Sequence, residues 1–559
     1  MNFFRKEDFK YLLLITITSI LTVLDLFVNV GRSANGDGFI HTVAPTLFAN
    51  AITQGNFPVG WTEGFANYGY PLGSISQQLT TYLTAFITIF LKNPIIGFNI
   101  CIFLGVLLSS IFLYYFLRIY FPPLYSFVGV LLFSLSPYRI LNIYVRGALP
   151  EFFAGVFFPL LLIAAYLLIK KKNINGLFLL VISISLLILS HPFMLIVSMF
   201  LFIPYVGFLL FKDRKNIKSI FLLAGGILLG VLITSYYSFP LFFEIRYFYY
   251  GASSYHLTPN SFLGIKNFFH YNYPYFTKLD IFGRGFFVNA GLIESLIVLI
   301  SLIYLILSLF SNKLKVKLSI FHYALFTGLL FAFMTLKWSG FIYSNISILS
   351  NIQFPWRMLS GFIFIPPILL AYLLSKIKSK VLVLLAIILI CIIAFPQLYG
   401  KNYTNYNNNF YNFTEYNLNA VVMNTIWTGR SEDYPIKNQK WGIIEGNGKV
   451  IKTDVSNSKR IYEVIAENQI RMVDYTFYFP GWKVFVDKVP TTIEFQNSNY
   501  RGVITYLVPA GKHTVEIKYT DTKIRQLGKI LSIFFIVLFV FLFLLRKKIS
   551  KLTLLTTGN

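Results

Sequence analysis

Long apolar runs separated by short polar connectors dominate this chain from residue 11 onward. Each run can supply roughly the 20 apolar residues that a helix needs to cross a bilayer. Such runs start at Tyr11, Ile95, Pro122, Phe152, Gly176, Pro192, Ser219, Ala290, Leu318, Trp356, Val381 and Gly528. The pattern predicts a polytopic α-helical membrane protein with about twelve transmembrane helices.

The positions of Lys and Arg orient these helices. The basic residues cluster in the connectors, at Arg5, Lys6, Lys10, Arg118, 170–172, 212–218, 313–317, 376–380 and 546–551. All these clusters fall on one side if the helices alternate in direction, and positive charge favours the cytoplasmic side. We therefore expect a multi-pass protein of the cell membrane with both termini in the cytoplasm.

One further apolar segment, 76–91, changes the topology if it is counted as a span. At about 16 residues it is short for a span and fits a re-entrant or interfacial helix in an outer loop over residues 31–91. Counting it would also place the cluster at 170–172 outside. The alternative, that 76–91 spans and a later segment does not, stays open.

The pattern changes to apolar and polar residues in alternation near the end of the chain, at 482–487, 502–508 and 513–519. A period of two with Pro-Gly and Gly-Lys turns between segments is typical of short antiparallel strands. The sequence thus predicts a transmembrane domain over 1–396 and an extracytoplasmic β-sandwich-like domain over 397–523. A last transmembrane helix and a basic cytoplasmic tail occupy 524–559.

Composition excludes several classes of protein. With 56% hydrophobic and 13% charged residues, the chain is too apolar for a soluble domain. The net charge of +26 is spread over connectors, so membrane lipids rather than nucleic acid are the expected partners. Cys101 and Cys391 both lie in apolar runs, which argues against a disulfide or a cysteine metal site.

Asp37 and His41 in the first outer loop are the leading candidates for chemistry. They lie four residues apart before an apolar-periodic run, so on a helix they would share a face. A carboxylate beside an imidazole can exchange protons or bind a cation. Asp37 is also a common residue type for the N-cap of a helix, and the two interpretations do not exclude one another.

Further polar candidates lie where apolar runs meet the predicted outer face. Arg139, Arg146 and Arg357 could clamp a phosphate, or they could anchor the helices by snorkelling. Glu151 lies at a helix start, where the helix dipole favours a carboxylate in any case, and His191 lies at a helix corner. Glu244 and Arg246 are weaker candidates, and the alternative is that they simply compensate each other's charge.

Eight short motifs together resemble a known family of bacterial membrane proteins. They read GDGFIH at 36–41, GNFPVGW at 55–61, YGYPL at 68–72, RGALPE at 146–151, SHP at 190–192, QFPWR at 353–357, YFPGWK at 478–483 and PAGKH at 509–513. The chain resembles the membrane proteins called 6-pyruvoyl-tetrahydropterin synthase-related, close to the YfhO-like proteins, over nearly its whole length. The histidine pattern of a soluble, zinc-dependent pterin enzyme is absent from the sequence.

The resemblance implies a GT-C-like fold and an inverting glycosyltransferase that takes sugar from a polyprenyl-phosphate donor on the outer leaflet. Asp37 would then be the general base, with His41 and Glu151 as further catalytic candidates. Arg139, Arg146, His191 and Arg357 would bind the lipid phosphate or the sugar, and a cell-envelope glycan or lipid would be the acceptor.

The first loop lacks the Asp-X-Asp pattern of metal-dependent oligosaccharyltransferases and carries only Asp37 and the distant Glu63. We therefore expect no obligatory cofactor, and a divalent metal stays as the alternative. Two other functions stay open. One is a transporter or flippase of lipid-linked glycans, which would need ionisable residues or broken helices near the midplane. The other is a non-enzymatic envelope scaffold with the β-domain as its glycan-binding module.

Overall fold

The computed structural model describes residues 6–29, 31, 36–65, 67–211, 219–249, 262–270, 287–310, 318–400, 403–405, 425–428 and 434–555. Two of the predicted basic clusters, 212–218 and 313–317, lie outside these residues, as does Arg5 of the first cluster. So do 401–402, 406–424 and 429–433 of the predicted β-domain.

Helices occupy most of the described chain before residue 400. Those of ten or more residues are Lys6–Val23, Ile40–Thr53, Gln78–Leu91, Pro94–Leu117, Pro123–Ser134, Phe157–Ile169, Asn175–Ser190, Pro192–Phe211, Ser219–Ile233, Ser235–Glu244, Leu292–Phe310, Ile320–Thr335, Ile365–Ile377, Lys380–Ala394 and Lys523–Leu555. Shorter helical segments are Asp25–Val28, Leu72–Ile75, Pro137–Ile140, Leu141–Arg146, Leu149–Ala154, Ile245–Tyr247, Ile265–Asn267, Lys337–Ser339, Gly340–Asn345, Ser347–Ser350, Pro355–Met358, Leu359–Phe362 and Phe395–Gln397.

Local sequence explains where the long helices start. The Asn93 side chain caps Pro94–Leu117 by accepting hydrogen bonds from the backbone N–H of Ile95 and Ile96, and Pro94 occupies the first turn, where no N–H is needed. Ser379 caps Lys380–Ala394 in the same way by accepting from Leu382 N. Both caps stand directly before an apolar run.

Within the described residues, seven helices are long and apolar enough to cross a membrane, and nine spans result if each of two bent helix pairs counts as one. The chain is therefore a polytopic helical membrane protein, as predicted. The count of about twelve spans stays a prediction, because Asn175–Ser190 and Ile320–Thr335 have only 16 residues each. At 1.5 Å per residue these helices are about 24 Å long, against a hydrocarbon core of about 30 Å.

The disputed segment 76–91 forms the 14-residue helix Gln78–Leu91. It packs against the first half of Pro94–Leu117, where the Thr84 hydroxyl donates to Cys101 Sγ at 3.2 Å. Gly97 allows this approach, since a Cβ there would lie 2.8 Å from Thr88 Oγ1. The segment thus forms a tight helical hairpin with the span that follows it.

A β-rich domain precedes the last helix, as the alternating pattern predicted. Its strands are β1 (Trp441–Glu445), β2 (Gly448–Val455), β3 (Lys459–Ala466), β4 (Ile470–Phe477), β5 (Trp482–Val486), β6 (Val489–Thr491), β7 (Val503–Val508) and β8 (Gly511–Tyr519). They form two antiparallel sheets, with strand orders β1-β4-β7 and β2-β3-β8-β5-β6. The inward side chains of both sheets share one buried cluster.

That cluster also contains residues from the first loop, including Val43, Phe48 and Trp61. The Trp61 ring meets Trp482 edge-on with centroids 5.0 Å apart, and Tyr68 stacks on Phe477 at 4.8 Å. Gly69 has a φ of +73°, and a Cβ there would lie 2.4 Å from Trp61 Nε1, so only glycine fits. The β-domain and the first loop therefore share one core.

A buried charge cluster crosses the same interface. Arg460 of β3 is fully buried, and its Nη2 donates to Glu63 Oε1 of the first loop at 2.7 Å. Its Nη1 lies 3.3 Å from Oδ1 of the fully buried Asp474. Burial alone would lower the pKa of the Arg460 guanidinium, but Asp474 and Glu63 more than offset this and raise it.

The last helix is attached to the rest of the bundle by a second buried ion pair. Glu244 accepts from Arg525 Nε at 3.0 Å and from Arg525 Nη2 at 2.8 Å. The sequence-based alternative that Arg246 compensates Glu244 is therefore wrong: Arg246 instead donates to the Tyr247 hydroxyl. Arginine suits this buried position, because its planar guanidinium can donate two hydrogen bonds to one carboxylate.

Arg460→Met should destabilise the protein by about 3–5 kcal/mol, because it removes the guanidinium that pairs with the buried carboxylate of Asp474. The measurement is thermal unfolding of the full chain in detergent, followed by tryptophan fluorescence. Trp482 is a suitable reporter, since its ring centroid lies 4.8 Å from the Arg460 guanidinium carbon.

Lys452→Met is the matched control, since Lys452 is exposed and its Nζ lies 3.7 Å from Glu463. Exposed pairs contribute about 0–1 kcal/mol, so its unfolding midpoint should barely move. Equal midpoints for the two variants would show that the Arg460 cluster does not hold the first loop against the β-domain.

Candidate functional site

A cavity of about 250 Å³ lies among the first loop, the segment 137–151 and the starts of two candidate spans. Its lining combines charged side chains with an apolar wall. The lining residues are Asp37, Ile40, His41, Ile75, Gln77, Arg146, Ala148, Pro150, Glu151, His191, Pro192, Phe193, Tyr237, Leu241, Ile245, Phe248, Gln353 and Arg357. Six of the seven residues predicted from sequence are among them.

Arg146 is placed by an irregular stretch of backbone. The helix Pro137–Ile140 continues as a π-helix over Leu141–Arg146, and Gly147 ends it with a φ of +63°. That left-handed conformation is accessible to glycine at little cost. Single π-turns often occur at functional sites because they redirect one side chain out of the regular helical series.

Glu151 joins two arginines at the back of the cavity. Its carboxylate is 2% exposed, and Oε2 lies 3.0 Å from Arg146 Nη1 and 3.1 Å from Arg357 Nε. The Arg146 contact is a hydrogen bond, whereas the Arg357 contact is an ion pair without hydrogen-bond alignment. The other oxygen, Oε1, accepts from the hydroxyls of Tyr138 at 2.6 Å and Ser360 at 3.1 Å.

The contacts made by both carboxylate oxygens change the role expected for Glu151. Both carboxylate oxygens are already engaged, so the group cannot easily take a proton from a substrate. Its contacts instead fix the orientation of two guanidinium groups. The geometry makes Glu151 a positioning residue rather than an acid or base.

Asp37 is the accessible acid of the site. Its side chain is 50% exposed, and Oδ2 accepts from Arg146 Nη2 at 3.1 Å. Its backbone N–H donates to the carbonyl of Arg146 at 2.6 Å, so both the backbone and the side chain of Asp37 bind Arg146. Among the described residues, Oδ1 has no hydrogen-bond partner. A carboxylate held at one oxygen and open at the other suits proton abstraction.

Asp37 is not a helix cap. The helix that follows begins at Ile40, its N-cap position is Phe39, and no side chain caps it. The sequence-based alternative of a purely capping Asp37 is therefore wrong.

The two histidines lie on the same cavity. His41 follows Asp37 by one helical turn, and burial lowers the pKa of its imidazole to about 4 despite the raising effect of Asp37. His191 is 7% exposed, and its Nδ1 is buried without a hydrogen-bond partner among the described residues. At neutral pH, His41 is therefore a neutral hydrogen-bonding group.

Arg357 is held by backbone and amide oxygens on its other side. Its Nη1 donates to the carbonyl of Ile352 at 3.0 Å and to Gln353 Oε1 at 2.7 Å. Among the described residues, Nη2 has no hydrogen-bond partner. The guanidinium thus keeps donor capacity for an anion in the cavity.

Arg139 is not part of this site. Its guanidinium carbon lies 4.1 Å and 4.7 Å from the ring centroids of Phe133 and Phe152, and Nη2 donates to Ser109 Oγ at 3.0 Å. Arg139 lies seven residues before Arg146, about two turns of a regular helix, but the π-helical turns between them break that register. We therefore remove it from the candidate phosphate-binding residues.

Sequence reasoning missed Ser360, and it missed Leu241, which forms the apolar wall of the cavity with Tyr237 and Phe248. Ser360 follows Arg357 by three residues, and this helical spacing puts both side chains on one face beside Glu151. Tyr237 and Leu241 lie on a helix that is bent by 77° from the preceding one, and Phe248 follows its last turn. Throughout the described ranges, no group of three or more His, Cys, Asp or Glu side chains is placed to hold a metal ion.

Comparison with known proteins identifies one matching family model. The model of the 6-pyruvoyl-tetrahydropterin synthase related domain, described as a membrane protein, matches residues 78–399. No curated protein matches the chain. Among solved structures, the apo oligosaccharyltransferase of Archaeoglobus fulgidus is 14% identical with a TM-score of 0.44. The match covers 71% of this chain and 56% of that chain, so this chain spans little more than half of that enzyme.

The low pKa of His41 predicts a specific dependence of stability on pH. The unfolded chain protonates this imidazole near pH 6.5, whereas the folded protein resists protonation until about pH 4. The free energy of unfolding therefore falls by up to about 3 kcal/mol as the pH drops from 6.5 to about 4. His41→Gln should remove this loss, as measured by comparing unfolding midpoints of variant and parent at several pH values from 7 to 4.

His513→Gln is a control of opposite sign. The hydrogen bond to Asp487 raises the pKa of the His513 imidazole, so His513 stabilises the folded state below pH 6.5. Its replacement should steepen the loss of stability on acidification, whereas His41→Gln should flatten it. Parallel pH profiles for both variants would contradict the burial of His41.

Proposed function

The chain belongs to the family of membrane proteins with a 6-pyruvoyl-tetrahydropterin synthase related domain, and on that premise we propose that it is a membrane glycosyltransferase. It transfers a sugar from a polyprenyl-phosphate-linked donor to a cell-envelope glycan or lipid at the outer face of the membrane. The observation that carries the proposal is the half-exposed carboxylate of Asp37 on the same cavity as the unsatisfied donor of Arg357.

The charged groups that line the cavity suit the two parts of such a reaction. Sugar transfer with inversion needs a base for the acceptor hydroxyl and a positive group for the leaving phosphate. Asp37 supplies the base, and Arg357 with Arg146 supplies the guanidinium groups. The apolar wall of Tyr237, Leu241 and Phe248 offers contacts for the first isoprene units of the lipid.

The proposed reaction proceeds by direct displacement. Asp37 Oδ1 accepts the proton of the acceptor hydroxyl, and the freed oxygen electron pair forms a bond to the anomeric carbon of the donor sugar. The bond between that carbon and the phosphate oxygen breaks, and the polyprenyl phosphate leaves with the electron pair. Arg357 Nη2 and Arg146 stabilise the negative charge that develops on the phosphate.

The remaining site residues position these groups. Glu151 holds both guanidinium groups, and Trp356 covers Arg146 with its ring centroid 4.6 Å from the guanidinium carbon. His191, with its buried Nδ1 unpaired among the described residues, and the neutral His41 hydrogen-bond the sugar or the phosphate.

Asp37→Asn should lower turnover at least about 100-fold, because general-base catalysis contributes about 10²–10⁴-fold to rates. The protein reconstituted in vesicles receives a polyprenyl-phospho-sugar, and the released polyprenyl phosphate is measured. Asp37 is half-exposed, so the variant should lose at most about 1 kcal/mol of stability.

Asp454→Asn is the matched control, since Asp454 is an exposed acid of β2 away from the cavity. It should turn over at the parental rate. Unchanged turnover in Asp37→Asn would remove Asp37 from the mechanism.

Arg357→Gln should raise the KM for the donor by about 10-fold or more, since a hydrogen bond to a charged group contributes about 1.5–3 kcal/mol. Arg139→Met is its counterpart: it removes a buried guanidinium that lies outside the cavity, so the KM should not change. The measurement is the initial rate against donor concentration for both variants. A larger KM change in Arg139→Met than in Arg357→Gln would reverse the assignment of the phosphate-binding arginine.

A further inference from the structure

A second, larger groove lies at the opposite end of the helical bundle. Asp8, near the start of Lys6–Val23, pairs with Arg118 close to this groove, at 2.7 Å. Thr22, near the other end of the same helix, accepts from Tyr144, two residues before Arg146 of the cavity. The groove has a volume of about 610 Å³ and is lined by Tyr120, Phe121, Pro122, Leu124, Tyr125, Ser319, Ile320, Tyr372, Ser375, Lys376 and Lys378.

We propose that this groove binds the headgroup of an acidic phospholipid from the adjacent membrane leaflet. The proposal is independent of the glycosyltransferase reaction. It depends on the charge of the groove, on its depth relative to the membrane and on its mixed apolar and aromatic lining.

The charged side chains that line the groove are all positive. Lys376 and Lys378 lie on its rim, and none of its lining residues is acidic. Two helices, Pro123–Ser134 and Ile320–Thr335, begin at the groove, and two others, Pro94–Leu117 and Ile365–Ile377, end beside it. The partial charges of these helix ends therefore offset one another, and the lysines supply the net positive charge. The nearby acids Glu7 and Asp8 are engaged by Arg118.

The groove lies at the depth of the lipid headgroups. The candidate spans Pro94–Leu117 and Pro355–Ile377 end beside it, and the candidate span Lys380–Gln397 begins there. Groups at the ends of spans lie at the membrane–water boundary, where acidic headgroups attract lysines. The headgroup of an acidic lipid in the adjacent leaflet can therefore reach the groove.

The lining fits a lipid rather than a bare anion. Phe121, Leu124 and Ile320 provide apolar surface for the glycerol and the first acyl carbons. Tyr372 provides an amphipathic ring, and Lys376 Nζ lies 5.4 Å from its centroid. Aromatic and lysine side chains of this kind are enriched at the membrane interface.

The test compares retention of phosphatidylglycerol and phosphatidylcholine by the full chain. Delipidated protein in detergent receives either lipid, and native mass spectrometry counts the bound copies at several lipid concentrations. The parent should bind phosphatidylglycerol more tightly than phosphatidylcholine. The double variant Lys376→Gln/Lys378→Gln should bind phosphatidylglycerol at least about 10-fold more weakly, since each lysine near an anionic headgroup contributes about 1 kcal/mol.

Lys547→Gln/Lys548→Gln is the matched control, with the same loss of charge on exposed lysines that do not line the groove. It should change phosphatidylglycerol binding less than about threefold. Equal weakening in both double variants would mean attraction by the whole basic face, and no weakening in the groove variant would mean no lysine contact. Either result overturns the proposal.

Inorganic phosphate distinguishes the two sources of the anion. Added phosphate should leave the bound phosphatidylglycerol in place, because the groove also contacts the apolar part of the lipid. Displacement of the lipid by phosphate at matched ionic strength would overturn the assignment to a phospholipid.

Discussion

The buried carboxylate of Glu151 is the contact on which the site depends. It lies between Arg146 and Arg357, which come from segments more than 200 residues apart, and Arg146 in turn holds Asp37 of the first loop. A carboxylate with 2% exposure is stable only when charges and hydrogen bonds compensate it. The same compensation brings three distant segments to one cavity, so folding of the bundle and assembly of the site are coupled.

A second charge cluster extends this coupling to the β-domain. Glu63 lies in the same loop as Asp37 and pairs with Arg460, which in turn meets Asp474 inside the β-domain. The shared core of Trp61 and Trp482 excludes water from this junction. The first loop is thus fixed at one end to the arginines of the cavity and at the other to the β-domain. That arrangement explains how an irregular loop can hold the carboxylate of Asp37 in a defined orientation.

Residue patterns predicted the helices and strands of this protein better than they predicted the contacts between them. Apolar runs predicted the helices, and alternation before Lys523 predicted the β-strands, because both signals are local. Six of the seven candidate side chains also reach the cavity. Charged side chains at the ends of apolar runs have few polar partners other than one another, so they come together. Arg139 does not, because the π-helix between it and Arg146 changes the helical register, and no residue type announces that change. The partner of Glu244 proved to be Arg525, 281 residues further along the chain, and no sequence spacing identifies such a pair.

The distribution of charge over the two ends of the bundle separates two tasks. At the cavity, each arginine is paired with a carboxylate, so the charge of the site is partly compensated. Binding in the cavity therefore depends on the orientation of the guanidinium groups. At the groove, Lys376 and Lys378 have no acidic neighbour in the lining, so attraction there depends on net charge. Paired guanidinium groups in a low-dielectric cavity select a ligand by the geometry of its acceptor atoms. Lysines without an acidic neighbour, at the headgroup surface, select a ligand only by its negative charge. Salt should therefore weaken binding at the groove more than binding in the cavity, because screening acts mainly on exposed charges.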